Sequence, residues 1–273
     1  METERQVARH YGRGGIEQAI LEALRASGKD VDNLQPGDLS GADEFHLGWY
    51  AATAELARDL GLGPDRHVLE VGCGIGGPAR HFAAAHGCRV TGIDLTAEFV
   101  EVAEALTRRC GLAGRVSFRQ GSALAMPFPD SAFDAATLIH VGMNIADKAA
   151  LFGEVRRVLK PGALFGVYDI MRIGEGDLPY PMPWAVTPET SFVETPEAYR
   201  RLLGQAGFAI MAEHSRRDLA LRLGREMRER AAAPGAPPLG LHILMGPATP
   251  ERMANVFAVL ERGLIAPVEI IAG

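Results

Sequence analysis

The sequence predicts an α/β fold built on a mostly parallel sheet, and three observations lead there. From residue 66 onward, short apolar runs alternate with amphipathic stretches; that is the pattern of strands joined by crossover helices. The run Val68-Leu69-Glu70-Val71-Gly72-Cys73-Gly74-Ile75-Gly76-Gly77 reads as a buried strand, a glycine-rich turn and a helix opening at Pro78-Ala79-Arg80. Helix punctuation recurs downstream: Pro161-Gly162 stops one helical stretch, and Pro196 and Gly207 bracket another.

Each element follows from local pattern. Ile16, Ala19, Ile20, Ala23 and Leu24 fall at helical spacing within 13–28. A polar turn is expected around 33–37, followed by a helix over 51–60 that Gly61-Leu62-Gly63-Pro64 closes. Strands are expected at 67–71, 89–94, 116–120, 133–140, 163–169, 208–213 and 268–271. Thr96 can cap a helix to about Arg109, and a further helix covers 148–159. Past residue 215 the simple alternation stops. Helices are expected over 218–233 and 250–262, separated by a proline-rich loop over 233–238. The chain is therefore read as a helical N-terminal lid over 1–60, then one domain over 61–273 with cap insertions near 172–195 and 215–262.

Bulk properties exclude several classes. The chain has 273 residues, 47% of them hydrophobic and 23% charged, with a net charge of −6. An acidic balance leaves no electrostatic footprint for nucleic acid, so none is expected as a partner. Cys73, Cys88 and Cys110 have neither metal-ligand spacing nor a disulfide pattern, and no metal site is expected. No apolar run reaches membrane-span length and no signal-peptide pattern opens the chain. A cytoplasmic protein is expected, either monomer or homodimer.

The glycine turn carries the chemistry. Gly72, Gly74 and Gly77 satisfy G-x-G-x-x-G, weak evidence alone. Glu70 sharpens it. A carboxylate two residues before the first glycine repels a pyrophosphate but suits a cation. S-adenosylmethionine carries a sulfonium and an ammonium and no phosphate, so E-x-G-x-G-x-G favours it over NAD. An oxidoreductase using the same glycines is thereby disfavoured.

Four signposts in order then resemble the class I S-adenosylmethionine-dependent methyltransferases. They are 68–77, Gly92-Ile93-Asp94, Gly121-Ser122-Ala123 ahead of Met126-Pro127-Phe128, and 154–162. The likeness spans about residues 40–215. It is strongest to the group holding ubiquinone/menaquinone C-methyltransferases, sarcosine/dimethylglycine N-methyltransferases and tocopherol or sterol C-methyltransferases. It implies a doubly wound, seven-stranded Rossmann-like sheet with an antiparallel last strand. It carries Glu70, Gly72, Gly74 and Gly76 to the methionine end of the cofactor, with Cys73 as small filler between them. Asp94 goes to the ribose, Leu95 to the adenine face, and Ser122 and Ala123 to the adenine edge. Phe45-His46-Leu47-Gly48 resembles a cover segment, which brings His46 to the cofactor. Ser122 departs from the aspartate common in the family; a neutral hydroxyl holds an amino group less strongly than a carboxylate does.

Candidate acceptor residues lie at strand ends, where ligands of open α/β sheets gather. His140 can serve as acid or base, since imidazole titrates near neutrality, or simply bond a neighbouring loop. Asp169 is a second proton acceptor, or a turn aspartate. Asn144, Tyr168, Trp184 and Trp49 are candidate pocket walls, against bland roles as strand, loop and helix anchors. The implied activity is methyl transfer to the nitrogen or carbon of a small molecule, such as an amine or a prenyl or quinone-like compound. An O-methyltransferase and a non-catalytic cofactor-binding protein are the alternatives.

Overall fold

The structure is a computed structural model that describes residues 2–232 and 238–273. Four helices come first: α1 (Glu2–Tyr11), α2 (Ile16–Ala26), α3 (Pro36–Asp43) and α4 (Trp49–Asp59). Alternation then begins with β1 (His67–Val71), α5 (Gly77–His86), β2 (Arg89–Asp94), α6 (Ala97–Arg109) and β3 (Val116–Gln120). It continues through β4 (Phe133–Ile139), α7 (Lys148–Val158), β5 (Leu159–Arg172), α8 (Pro196–Gln205) and β6 (Ile210–Ser215). The chain closes with α9 (Arg217–Ala232), α10 (His242–Met245), α11 (Thr249–Glu261) and β7 (Ile265–Ala272).

The strands form one sheet in the order β3-β2-β1-β4-β5-β7-β6. Pairings from β3 to β5 are parallel, and β7 inserts antiparallel between β5 and β6. The predicted doubly wound sheet with an antiparallel last strand is what forms. Strand order reverses at β1, whose neighbours are β2 and β4, so a crevice opens between the carboxyl ends of β1 and β4.

The N-terminal helices do not enclose a core of their own. Ile16, Ile20, Leu24 and Leu39 pack with Phe99, Val102 and Leu106 of α6 and with Ile75 of the glycine turn. Burying that apolar stripe requires the sheet domain as partner. On the far side, Met143, Trp184, Val256 and Phe257 form a cluster that joins the 172–195 insertion to α11.

Three local expectations change. Residues 36–43 are helical, not a turn: Pro36 sits in the first turn, and the Gln35 N–H donates to the Asp38 side chain at 2.9 Å. α1 was not anticipated because Glu-Thr-Glu-Arg-Gln-Val-Ala-Arg-His-Tyr has no continuous apolar stripe. β5 starts at Leu159 and runs through Pro161-Gly162 instead of beginning at 163. The loop expected at 233–238 lies, but for Pro238, outside the described residues.

Candidate active site

A cavity of about 350 Å³ occupies the crevice at the switch point. One end is built by the glycine turn and the end of β2, the other by the turn after β4, the 172–195 insertion and α11; α1 lies across it.

Gly72, Cys73 and Gly74 line the first end. Gly72 has φ 69°, and a Cβ there would stand 2.3 Å from Val141 Cγ2, so both backbone conformation and the approach of the β4 loop demand glycine. Gly76 is not on the cavity wall. With φ 84° it caps the start of α5, packed against Phe118 and Arg80, so its role is to turn the chain. Burial pushes the Cys73 thiol well above its usual range, which leaves it unsuited as a nucleophile.

Asp94 ends β2 on the cavity wall. Its Oδ2 accepts the Gly74 N–H at 2.8 Å and its Oδ1 the Thr96 N–H at 2.9 Å. The carboxylate thus braces the glycine turn and still has lone pairs for a ligand. Burial raises its pKa, and the backbone N–H groups oppose that rise. Leu95, Ser122 and Ala123 continue the wall.

Glu70 is 2% exposed, and its Oε2 has no hydrogen-bond partner among the described residues. Burial raises its pKa well above the usual carboxylate range, and the neighbouring Glu44 adds to the effect. An unpaired buried carboxylate oxygen on a cavity wall is costly unless a cation completes it. Behind it lies an acid network. Asp43 pairs with the fully buried Arg80 at 2.8 Å. Glu44 accepts from Thr53 Oγ1 at 2.7 Å, and burial pushes its carboxyl up to about 8. Burial also pushes His46, on the cavity wall, down to about 4.

At the other end, His140 follows β4 with φ 52°, rare for a residue with a Cβ. Its N–H donates to the Tyr168 carbonyl at 2.8 Å. Its Nδ1 accepts from the Leu47 N–H at 3.4 Å, which places the ring proton on Nε2. Nε2 has no partner among the described residues, and burial holds the imidazole well below its ordinary pKa. A neutral ring protonated at Nε2 is a hydrogen-bond donor and a poor base. Asn144 and Trp184 share the wall and bond to each other, Asn144 Nδ2 donating to the Trp184 carbonyl at 2.8 Å. Trp49 lines the same space.

Tyr168 and Asp169 stand behind this wall. Tyr168 is 1% exposed and donates its hydroxyl to the Leu47 carbonyl at 2.6 Å. Asp169, fully buried, accepts from the Tyr199 hydroxyl at 2.6 Å. A Cβ at Gly142 would meet both Asp169 Oδ2 and Tyr199 Oη, so this pair supports the turn that carries Asn144. Because β5 is central, its alternating side chains bury into the two layers flanking the sheet.

Sequence reasoning missed α1 and α10, and it placed no cavity-lining residue on α11, a helix it did expect. Thr3, Glu4, Val7 and Tyr11 line the cavity, as do Leu244, Met253 and Val256. The spacing of Glu4, Val7 and Tyr11 at i, i+3 and i+7 was a usable signal, for it puts them on one helix face. No cluster of His, Cys, Asp or Glu with metal-binding geometry occurs among the described residues.

Comparison with known proteins agrees with this geometry. Residues 69–167 match the family described as a methyltransferase domain. A sterol 24-C-methyltransferase of Gibberella zeae is 41% identical over 114 residues, covering 42% of this chain and 30% of that protein. A botryococcene C-methyltransferase of Botryococcus braunii is 43% identical over 116 residues, covering 42% and 31%. The chain thus spans about a third of the length of these relatives. Geranyl diphosphate C-methyltransferase from Streptomyces coelicolor A3(2) superposes with a TM-score of 0.71 at 19% identity, covering 100% of this chain and 98% of that one. Residues 69–167 thus resemble a methyltransferase domain, and the glycine turn, the β2 aspartate and the sheet order accord with that likeness.

Proposed function

We propose that the protein transfers a methyl group from S-adenosylmethionine to the nitrogen or carbon of a small-molecule acceptor. The unpartnered Oε2 of Glu70 carries the assignment. It is a buried carboxyl group on the cavity wall beside Gly72 and Gly74, and the ammonium group of the cofactor, which favours its ionised form, is the complement it lacks. Asp94 offers its remaining lone pairs to the ribose hydroxyls, Leu95 packs on the base, and Ser122 and Ala123 meet the base edge. His46 covers the methionine end. Bound here, the cofactor supplies an electrophilic methyl group on a sulfonium.

The chain's own residues orient and exclude. Met143, Trp184, Met253 and Val256 make an apolar wall for the acceptor. Aromatic faces at Trp49 and Trp184 suit an amine cation or a prenyl chain. His140 donates from Nε2, so it orients an acceptor atom bearing a lone pair. Holding two reactants in line in a dry cavity is the main source of rate. Residues 1–60 act as the lid that keeps it dry, and the acidic chain takes no nucleic acid. No described helix is long and apolar enough to cross a membrane, and a cytoplasmic setting suits the cofactor.

The test is incubation with methyl-labelled S-adenosylmethionine and a panel of amines, prenylated quinols and phenols. Label in an amine or carbon product is expected, with S-adenosylhomocysteine released in equal amount. Label only in ethers would favour O-methylation, and tight cofactor binding without turnover on any acceptor would favour a binding protein.

A further inference from the structure

The adenine end of the cavity has an anionic partner that comes from outside the matched domain. Ser122 Oγ donates to Glu4 Oε1, and accepts the Leu124 N–H at 3.1 Å. The serine proton is therefore committed to Glu4 and one of its two lone pairs to Leu124, which leaves a ligand amino group a single lone pair on a neutral hydroxyl. Glu4 stands beside it on the cavity wall, three and seven residues before Val7 and Tyr11, which share that wall. Its other end holds the helix in place: Tyr11 Oη donates to Asn144 Oδ1 at 2.9 Å, and the N–H groups of Arg13 and Gly14 donate to the Glu98 carboxylate at 2.8 Å each. Seven residues of helix span roughly 10 Å, so Glu4 is carried on a rigid arm anchored on the acceptor side.

Resting on the cofactor assignment above, we infer that Glu4 is the carboxylate that accepts the adenine amino group, with Ser122 as its positioning residue. Bonding to Ser122 holds the Glu4 carboxyl below its usual range, which keeps it ionised at neutral pH. An ionised acceptor binds an N–H more strongly than a neutral hydroxyl does. It follows that recognition of the base and closure of α1 are one event: the helix that covers the cavity also completes the cofactor site.

The experiment is calorimetric titration of wild type and Glu4→Gln with S-adenosylhomocysteine and with its analogue lacking the 6-amino group. Wild type should prefer S-adenosylhomocysteine by about 10- to 100-fold, the range for a charge-assisted hydrogen bond. Glu4→Gln should lose that preference while binding the analogue within twofold of wild type. Undiminished affinity of Glu4→Gln for S-adenosylhomocysteine would show a latch that the base merely displaces, and an equal loss for both ligands would show a structural role; either overturns the inference. Wild type binding neither ligand would overturn the cofactor assignment itself, a different result from both.

Discussion

The Tyr168 hydroxyl donates to the Leu47 carbonyl at 2.6 Å, tying the middle of β5 to the segment that joins the N-terminal helices to the cavity. Gly48 makes this approach possible, because a Cβ there would lie 2.6 Å from the same hydroxyl. Leu47 in turn gives its N–H to His140. One short segment thus couples the sheet, the N-terminal helices and the turn that carries His140.

Tyr168→Phe should therefore loosen the cover without touching the cofactor. The buried carbonyl left behind costs about 1–3 kcal/mol. Chemical denaturation should show that loss. Limited proteolysis should cut faster at the exposed residues 28–30, and S-adenosylhomocysteine should protect wild type more than the variant. Equal cleavage with and without ligand in wild type would mean the N-terminal helices do not act as a lid.

Asp94→Ala removes the brace on Gly74 and, with it, the proposed ribose partner. Cofactor affinity should drop by about 1–3 kcal/mol or more, the cost of losing a charged acceptor. Calorimetry checks it, with NAD as the negative control. Tight NAD binding, or unchanged affinity in the variant, contradicts the assignment.

Cofactor binding should release protons. In the ligand-free protein the pKa of Glu70 is raised by burial and by Glu44, so its carboxyl holds a proton above the usual carboxylate range. A bound ammonium favours the ionised form and lowers that pKa. Affinity must then rise with pH until Glu70 is ionised in the free protein as well. Binding enthalpies measured in buffers of different ionisation heat should reveal the release, and Glu70→Gln should abolish it while weakening binding. Proton uptake would contradict the scheme.

His140 should not behave as a general base. Its pKa is held well below 6.5 and its proton sits on Nε2. The pH profile of kcat/KM should carry no inflection near 6.5 that disappears in His140→Asn. His140→Ala should lower turnover more than cofactor affinity. An inflection near 6.5 lost on substitution would restore the acid/base role.

Much of this protein is determined by local sequence. Period-two and period-3.6 apolar patterns place the strands and crossover helices of the parallel region, since each pattern can bury its face in only one kind of element. Gly72, Gly74 and Asp94 are legible because a tight turn at a strand end restricts residue type. Tertiary structure decided the rest. Tyr168 and Asp169 lie on a strand next to the site, one that runs on to Arg172, yet which layer a side chain enters depends on the neighbours that β7 and α8 supply. Gly76 belongs to the motif but faces Phe118 and Arg80. The tautomer of His140 is set by an N–H 93 residues away, and Glu4 meets Ser122 across 118 residues. Long-range pairings of this kind leave no periodic trace, because only the folded chain brings the two groups within reach of each other.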